Sequence, residues 1–276
     1  MKTACFDEVK KIKFRTNLER ADSLRNMTYD EKVHYSKSMI KKAILDYDRK
    51  VAVACSFGKD STVMVHLCYQ FSDIPVVFCN TGVEYKETLD FRDVLVEKWN
   101  LNYVELHPET TYFKVVRKSG YPQIRMSSYS AKKRKKSIGT PKCCYYLKEK
   151  PMKLWVNSNH FKAYFVGLQA DESYQRKWTI IKYGDNYVTS KVFNQPIHKF
   201  LPLAYWSEKE IWRYIKENKL PMNKAYERYG ISRVGCVPCT GHIGWEKTLQ
   251  KVNVKMYAKI KRDMTKTRPI ETYFTN

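Results

Sequence analysis

The chain has 276 residues, 43% of them hydrophobic and 14% aromatic, proportions of a folded protein with a sizeable core rather than a disordered one. Lys and Arg number 51 against 28 Asp and Glu, and the net charge of +23 favours polyanionic partners such as nucleotides or nucleic acid over acidic ones, the alternative being a lysine-rich surface that only solvates the fold. No run approaches the roughly 18 apolar residues of a membrane span, and the start MKTACFDEVKKIKF lacks the apolar region of a signal peptide, so an intracellular, cytoplasmic protein without membrane contact is expected.

Residues 1–48 read as a basic, helical lead-in, with MTYDEKVHYSKSMIKKAILDY near helical spacing. VAVACS (51–56) is a short β-rich run, and STVMVHLCYQF after it has the length and periodicity of a helix. IPVVFCN (74–80) is a second strand, ETLDFRDVLVEKWN (87–100) a second helix and LNYVELHP (101–108) a third strand. This alternation predicts an α/β fold, a parallel twisted sheet with helices on both faces. The pattern weakens over 109–150, where a predicted flap over 120–150 carries the basic run Lys132 to Lys136. KAYFVGLQ (162–169) resumes strand character, SEKEIWRYIKENK (207–219) is a helix with Ser207 as N-cap, and the stretch from 245 is again basic and helical. An α/β domain over 49–235 and a terminal segment over 236–276 are the expected divisions.

The turn Ser56-Phe-Gly-Lys-Asp-Ser61 sits between strand and helix. There the open N–H groups of a helix start, the helix dipole and Lys59 converge on one point, an anion site suited to phosphate. It lacks Walker A spacing, and a plain strand-to-helix turn with a capping serine is the competing account. Of the eight cysteines, Cys143 and Cys144 are adjacent and Cys236-Val-Pro-Cys239 form a C-x-x-C pair. In a reducing compartment that clustering points to metal, with zinc and an iron-sulfur cluster both open. Cys55, Cys68 and Cys79 read as buried core thiols, and Cys5 as incidental.

Ser-Phe-Gly-Lys-Asp-Ser after a hydrophobic strand resembles the PP-loop of the adenine nucleotide alpha-hydrolase superfamily, and later stretches resemble its phosphoadenosine phosphosulfate (PAPS) reductase family. CNTGVEYKET (79–88) is similar to that family's Asp-Thr-Gly segment with Asn80 in place of Asp, GLQADESYQRKW (167–178) to its Gly-Leu-Arg segment with Gln169 in place of Arg, and PLAYWSEKEIWRYI (202–215) to its Pro-Leu-x-x-Trp segment. The cysteine pairs resemble those that hold a 4Fe-4S cluster in the adenylyl-sulfate-reducing members. The resemblance implies an adenine nucleotide alpha-hydrolase-like sheet with a C-terminal cluster-binding extension. It further implies nucleotide contacts at Ser56, Gly58, Lys59, Ser61, Asn80, Thr81, Gly82 and Gly167, catalytic roles for Lys59, Asp60, Lys148 and Arg176, and cluster ligation by Cys143, Cys144, Cys236 and Cys239.

The reductases carry their nucleophile as a cysteine in a segment near the C-terminus, and here none follows Cys239. What remains resembles the ATP-pyrophosphatase component of DNA phosphorothioation systems and cluster-bearing tRNA thiolases. The expectation is therefore ATP-dependent adenylylation and sulfur transfer on a nucleic acid, with magnesium and a sulfur-donor protein as further partners and the oligomeric state open. Two alternatives are an adenylyl-sulfate or PAPS reductase using an external thiol, and a non-catalytic iron-sulfur subunit that binds nucleic acid.

Overall fold

Val51, Ala52 and Val53 are all without solvent exposure in the computed structural model of the chain, which describes residues 15–122, 141–189 and 196–266. Successive strand residues point to opposite faces, so this strand is covered on both sides, as a parallel α/β sheet requires. The basic run Lys132 to Lys136, most of the predicted flap, Cys5 and both chain ends lie outside the described residues.

The elements in order are α1 (Tyr29–Asp46), β1 (Val51–Ala54), α2 (Lys59–Tyr69), β2 (Val76–Cys79), α3 (Lys86–Lys98), β3 (Tyr103–Leu106), α4 (Tyr112–Ser119) and α5 (Lys150–Ser158), then β4 (Ala163–Val166), α6 (Tyr174–Tyr183), β5 (Asn186–Thr189), β6 (Ile197–Phe200) and α7 (Glu208–Glu217), and last α8 (Ala225–Tyr229), α9 (Trp245–Val252) and α10 (Val254–Lys266). A further helical stretch covers 15–25. Among the described residues no helix is long and apolar enough to cross a membrane. Two compact units interleave along the chain, one of Met1–Phe78, Val94–Val104 and Lys153–Met222, the other of Cys79–Asp93, Glu105–Met152 and Asn223–Asn276.

The first unit holds most of a six-stranded sheet of order β3-β2-β1-β4-β6-β5. β1 pairs in parallel with β2 and β4, and β4 with β6. The predicted parallel sheet is mixed at one edge, because β5 runs antiparallel to β6. Only residues 190–196 join these two strands, and a parallel return needs a crossover of about a dozen residues or more. Two helices of this unit begin with capping boxes, Thr28 with Glu31 on α1 and the expected Ser207 with Glu210 on α7. Between them Ser36 Oγ accepts from the fully buried Trp206 Nε1 at 3.0 Å and donates to the Pro202 carbonyl at 2.6 Å.

In the second unit Tyr112, Val115 and Val116 of α4 pack with Cys143 and Leu147. Trp245 and Leu249 of α9 pack with Ile260 of α10. Residues Lys142–Cys144 form a single helical turn that widens into a π-turn over Tyr145–Glu149 before α5. An antiparallel bridge between Glu84 and Cys236, extended by the Val237 N–H to the Val83 carbonyl at 2.8 Å, ties the segment after β2 to the C-x-x-C turn.

Candidate functional site

The PP-loop residues lie together in the first unit, where β1 hands over to α2. Phe57 takes the left-handed conformation at φ 53°, uncommon for a residue with a side chain, and its fully buried ring is held against Phe78 and Tyr103. Its N–H points to Cys55 Sγ at 3.3 Å, and burial pushes the Cys55 thiol up to about 11, so that cysteine is a structural acceptor. Beyond the bend, Ser61 Oγ accepts the N–H groups of Ser56 at 3.2 Å and Gly58 at 3.1 Å and donates to the Gly58 carbonyl at 3.0 Å. Gly58 is the N-cap of α2 and offers no side-chain oxygen, so the helix start keeps its positive end open to a ligand.

Lys59 is 5% exposed, and its Nζ lies 3.3 Å from Asp60 Oδ2 and 3.5 Å from Glu208 Oε1. Asp60 Oδ1 is buried and accepts no hydrogen bond from the described residues. Burial raises the Asp60 carboxyl, against the opposing pull of Lys59 and Arg176. The exit of β4 approaches the same helix start closely: a Cβ on Gly167 would meet the Asp60 carbonyl oxygen at 2.9 Å and the Ser61 nitrogen at 3.3 Å. Only glycine lets these two backbones touch. Gln169, 1% exposed, donates its backbone N–H to Glu172 Oε2 at 3.1 Å while its side-chain Nε2 has no acceptor among the described residues. Arg176, on α6, is ion-paired with Glu172.

Asn80, Thr81 and Gly82 belong to the second unit and form a tight turn after β2. Asn80 Nδ2 donates to Glu105 Oε1 at 2.6 Å and its Oδ1 accepts the Gly82 N–H at 3.0 Å. Thr81 Oγ1 donates to Glu84 Oε1 at 2.7 Å and lies 3.5 Å from Cys236 Sγ. Gly82 has φ 74°, the left-handed value such a turn demands.

The four clustered cysteines and Lys148 are in this second unit, and none of the four forms a disulfide among the described residues. The C-x-x-C turn closes through the Cys239 N–H to the Cys236 carbonyl at 3.1 Å and is anchored by Tyr112 Oη, which donates to the Pro238 carbonyl at 2.6 Å. The Cys144 thiol and burial hold the Cys143 thiol well above its ordinary value, with Cys239 and Cys236 adding to the effect. Burial also raises the Cys239 thiol. The ammonium of Lys148, on the π-turn, is pushed up chiefly by Cys236, against its burial and with Cys144, Glu84 and Cys239 adding. Cys79, read from sequence as a core thiol, is only partly buried and donates to the Lys148 carbonyl at 3.4 Å. Among the described residues no group of three or more Cys, His, Asp or Glu side chains is arranged to hold a metal ion.

Two residues escape the sequence reading. Glu208 reaches Lys59 from the first turn of α7, and Glu84 gathers the Thr81 and Val83 N–H groups at 3.2 and 3.1 Å. The signal for Glu208 is its place just after the N-cap Ser207, and for Glu84 its place three residues after Thr81. Neither spacing names the partner, which lies far off along the chain for Glu208.

The profile of the phosphoadenosine phosphosulfate reductase domain matches residues 50–242. An adenosine 5'-phosphosulfate reductase of Staphylococcus haemolyticus is 28% identical over 229 residues, covering 82% of this chain and 85% of its own. Among solved structures, a phosphoadenylyl-sulfate reductase from Candida auris aligns with a TM-score of 0.52 at 16% identity, over 79% of this chain and 94% of that one. The U34-tRNA thiolase NcsA from Methanococcus maripaludis, solved with its 4Fe-4S cluster, aligns with a TM-score of 0.52 at 18% identity, over 90% of this chain and 82% of that one. At such identities the two structures speak for the fold alone.

Proposed function

The chain belongs to the phosphoadenosine phosphosulfate reductase family, and from that premise we propose that it is an ATP-dependent enzyme of sulfur transfer whose acceptor is a nucleic acid. The observation that carries this reading is the turn from Ser56 to Ser61, an open helix start with a buried lysine following the central strand β1. A triphosphate placed there receives N–H groups of the α2 start, the helix dipole and the Lys59 charge, which stabilise the negative charge that builds on departing pyrophosphate. Asp60 Oδ1, buried and without a donor, is the oxygen available to a magnesium ion accompanying the phosphates. An acceptor oxygen attacks the α-phosphorus, a new O–P bond forms and pyrophosphate leaves. A sulfur nucleophile from a donor protein then displaces AMP from the activated position.

The four cysteines suit a 4Fe-4S cluster by donor type, and the cation of Lys148 beside them suits the negative charge of a thiolate-bound cluster. Cys143, Cys144, Cys236 and Cys239 would hold it. When bound, it supplies an iron site for sulfur or a reservoir of one electron. The Glu84–Cys236 bridge would hold one cysteine pair, and the helical turn Lys142–Cys144 carries the other.

A sulfonucleotide reductase using an external thiol is a second reading, favoured by the relatives named adenosine 5'-phosphosulfate reductase. One assay separates the two. Pyrophosphate release from ATP on addition of nucleic acid is expected. Sulfite release from adenylyl sulfate with a thiol, and no ATP turnover, would overturn the first reading in favour of the second.

A further inference from the structure

Helix α6 buries Ile180 and Ile181 in a cluster with Ala170, Leu201 and Ala204 of the same unit. Its outer side is unusual for a surface helix, because Tyr174, Trp178 and Tyr183 are 66%, 41% and 47% exposed. Tyr174 and Trp178, four residues apart, stand edge to face with ring centroids 5.7 Å apart. Lys182 continues the same spacing, and its Nζ lies 5.0 Å from the centre of the Tyr183 ring. The helix, YQRKWTIIKY, carries three cations and no carboxylate. The two carboxylates before it, Asp171 and Glu172, are paired with Arg25 and Arg176.

Exposed rings interleaved with lysines that have no carboxylate partner among the described residues match single-stranded nucleic acid, in which bases stack on aromatic faces and phosphates take the cations. An apolar partner would leave Lys177 and Lys182 desolvated without an anion. The position fits as well, since α6 begins seven residues after Gly167, whose backbone abuts Asp60 of the Ser56–Ser61 turn in the same unit. We infer that the outer face of α6 is a stacking strip for single-stranded nucleic acid, beginning a few residues after the Gly167–Asp60 approach. The inference rests on the proposed nucleic-acid acceptor and adds where on the chain that acceptor is held.

The test is fluorescence anisotropy of the full chain with short labelled single-stranded DNA and RNA oligomers, alongside ATP affinity and Tm. Tyr174→Ala and Trp178→Ala are each expected to weaken oligomer binding about 10-fold, and Trp178→Phe, which keeps a stacking face, to bind nearly as the parent does. Lys182→Ala is expected to lower the slope of log affinity against log salt by about 0.7. ATP affinity and Tm should stay unchanged in all four. If the parent binds oligomers and the alanine variants bind them equally well, the strip is overturned while the acceptor class stands. If the parent binds neither DNA nor RNA, both fall.

Discussion

Gly167 and Asp60 meet backbone to backbone: a Cβ on the glycine would stand 2.9 Å from the Asp60 carbonyl oxygen and 3.1 Å from its carbonyl carbon. Neither atom belongs to a flexible side chain, so relief requires moving β4 away from the start of α2. Gly167→Ala is expected to destabilise the protein by about 1–3 kcal/mol and to weaken nucleotide binding with it. Gly82→Ala is the control, because nothing lies within 4 Å of its added Cβ and only the φ of 74° opposes the change. Its stability loss should be about 1 kcal/mol. Denaturant melts and calorimetric ATP titrations of both variants check the pair, and equal behaviour would remove the close-approach argument.

Lys59 is the single cation in the turn Ser56–Ser61, and Lys59→Met keeps its length without its charge. ATP affinity is expected to drop by about 1.5–3 kcal/mol, the value of a charge-assisted contact. Asp60→Asn separates stability from function. Burial raises the Asp60 carboxyl, so ionising it is harder in the folded chain than in the unfolded one. Its charge therefore lowers stability progressively as pH rises through its folded pKa. Asp60→Asn should raise Tm more at pH 8 than at pH 4 while lowering magnesium-dependent ATP turnover. A Tm gain independent of pH would refute the electrostatic origin.

Glu210 couples a helix cap to an ion pair. Its Oε2 accepts the Ser207 N–H at 2.6 Å, and its Oε1 lies 2.9 Å from the nearly buried Lys32 Nζ. Burial alone would raise the carboxyl, but the Ser207 N–H and Lys32 outweigh it and the net shift is downward from 4.5. The stability it contributes is complete above that ordinary value and is lost as pH falls through the depressed one. Glu210→Gln is expected to lose about 1–3 kcal/mol at pH 7, with the two melting curves converging in acid.

Anaerobic purification tests the cysteine proposal. Iron and acid-labile sulfide in equal amounts, with absorption in the visible, are expected, and both should be lost in Cys239→Ser. Cys68→Ala should keep them, since Cys68 is a fully buried thiol of α2 in the other unit. Zinc without sulfide would overturn the cluster assignment.

Much of the sheet was legible in sequence because its strands are short apolar runs flanked by helical periodicity. The strand β1, the helix α7 and its cap Ser207 stand where the pattern predicts them, since apolar spacing and cap chemistry act over a few residues. The edge strand β5 was not legible. Its sequence NYVT alternates weakly, and its direction follows from the short connection to β6. The π-turn bearing Lys148 was equally hidden, since one extra residue in a helical turn leaves no mark on composition.

By itself, then, the sequence determined that a strand ends in a small polar turn at Ser56 and that a helix with Lys59 near its start follows. Both depend on residues adjacent in the chain. That Glu208 would hold Lys59, that Gly167 would press on Asp60, and that Glu84 would bridge to Cys236 was decided by the tertiary structure alone. Each pairs residues more than a hundred positions apart, and such contacts are chosen by how sheet order and loop lengths bring the backbone together, a property no local pattern encodes.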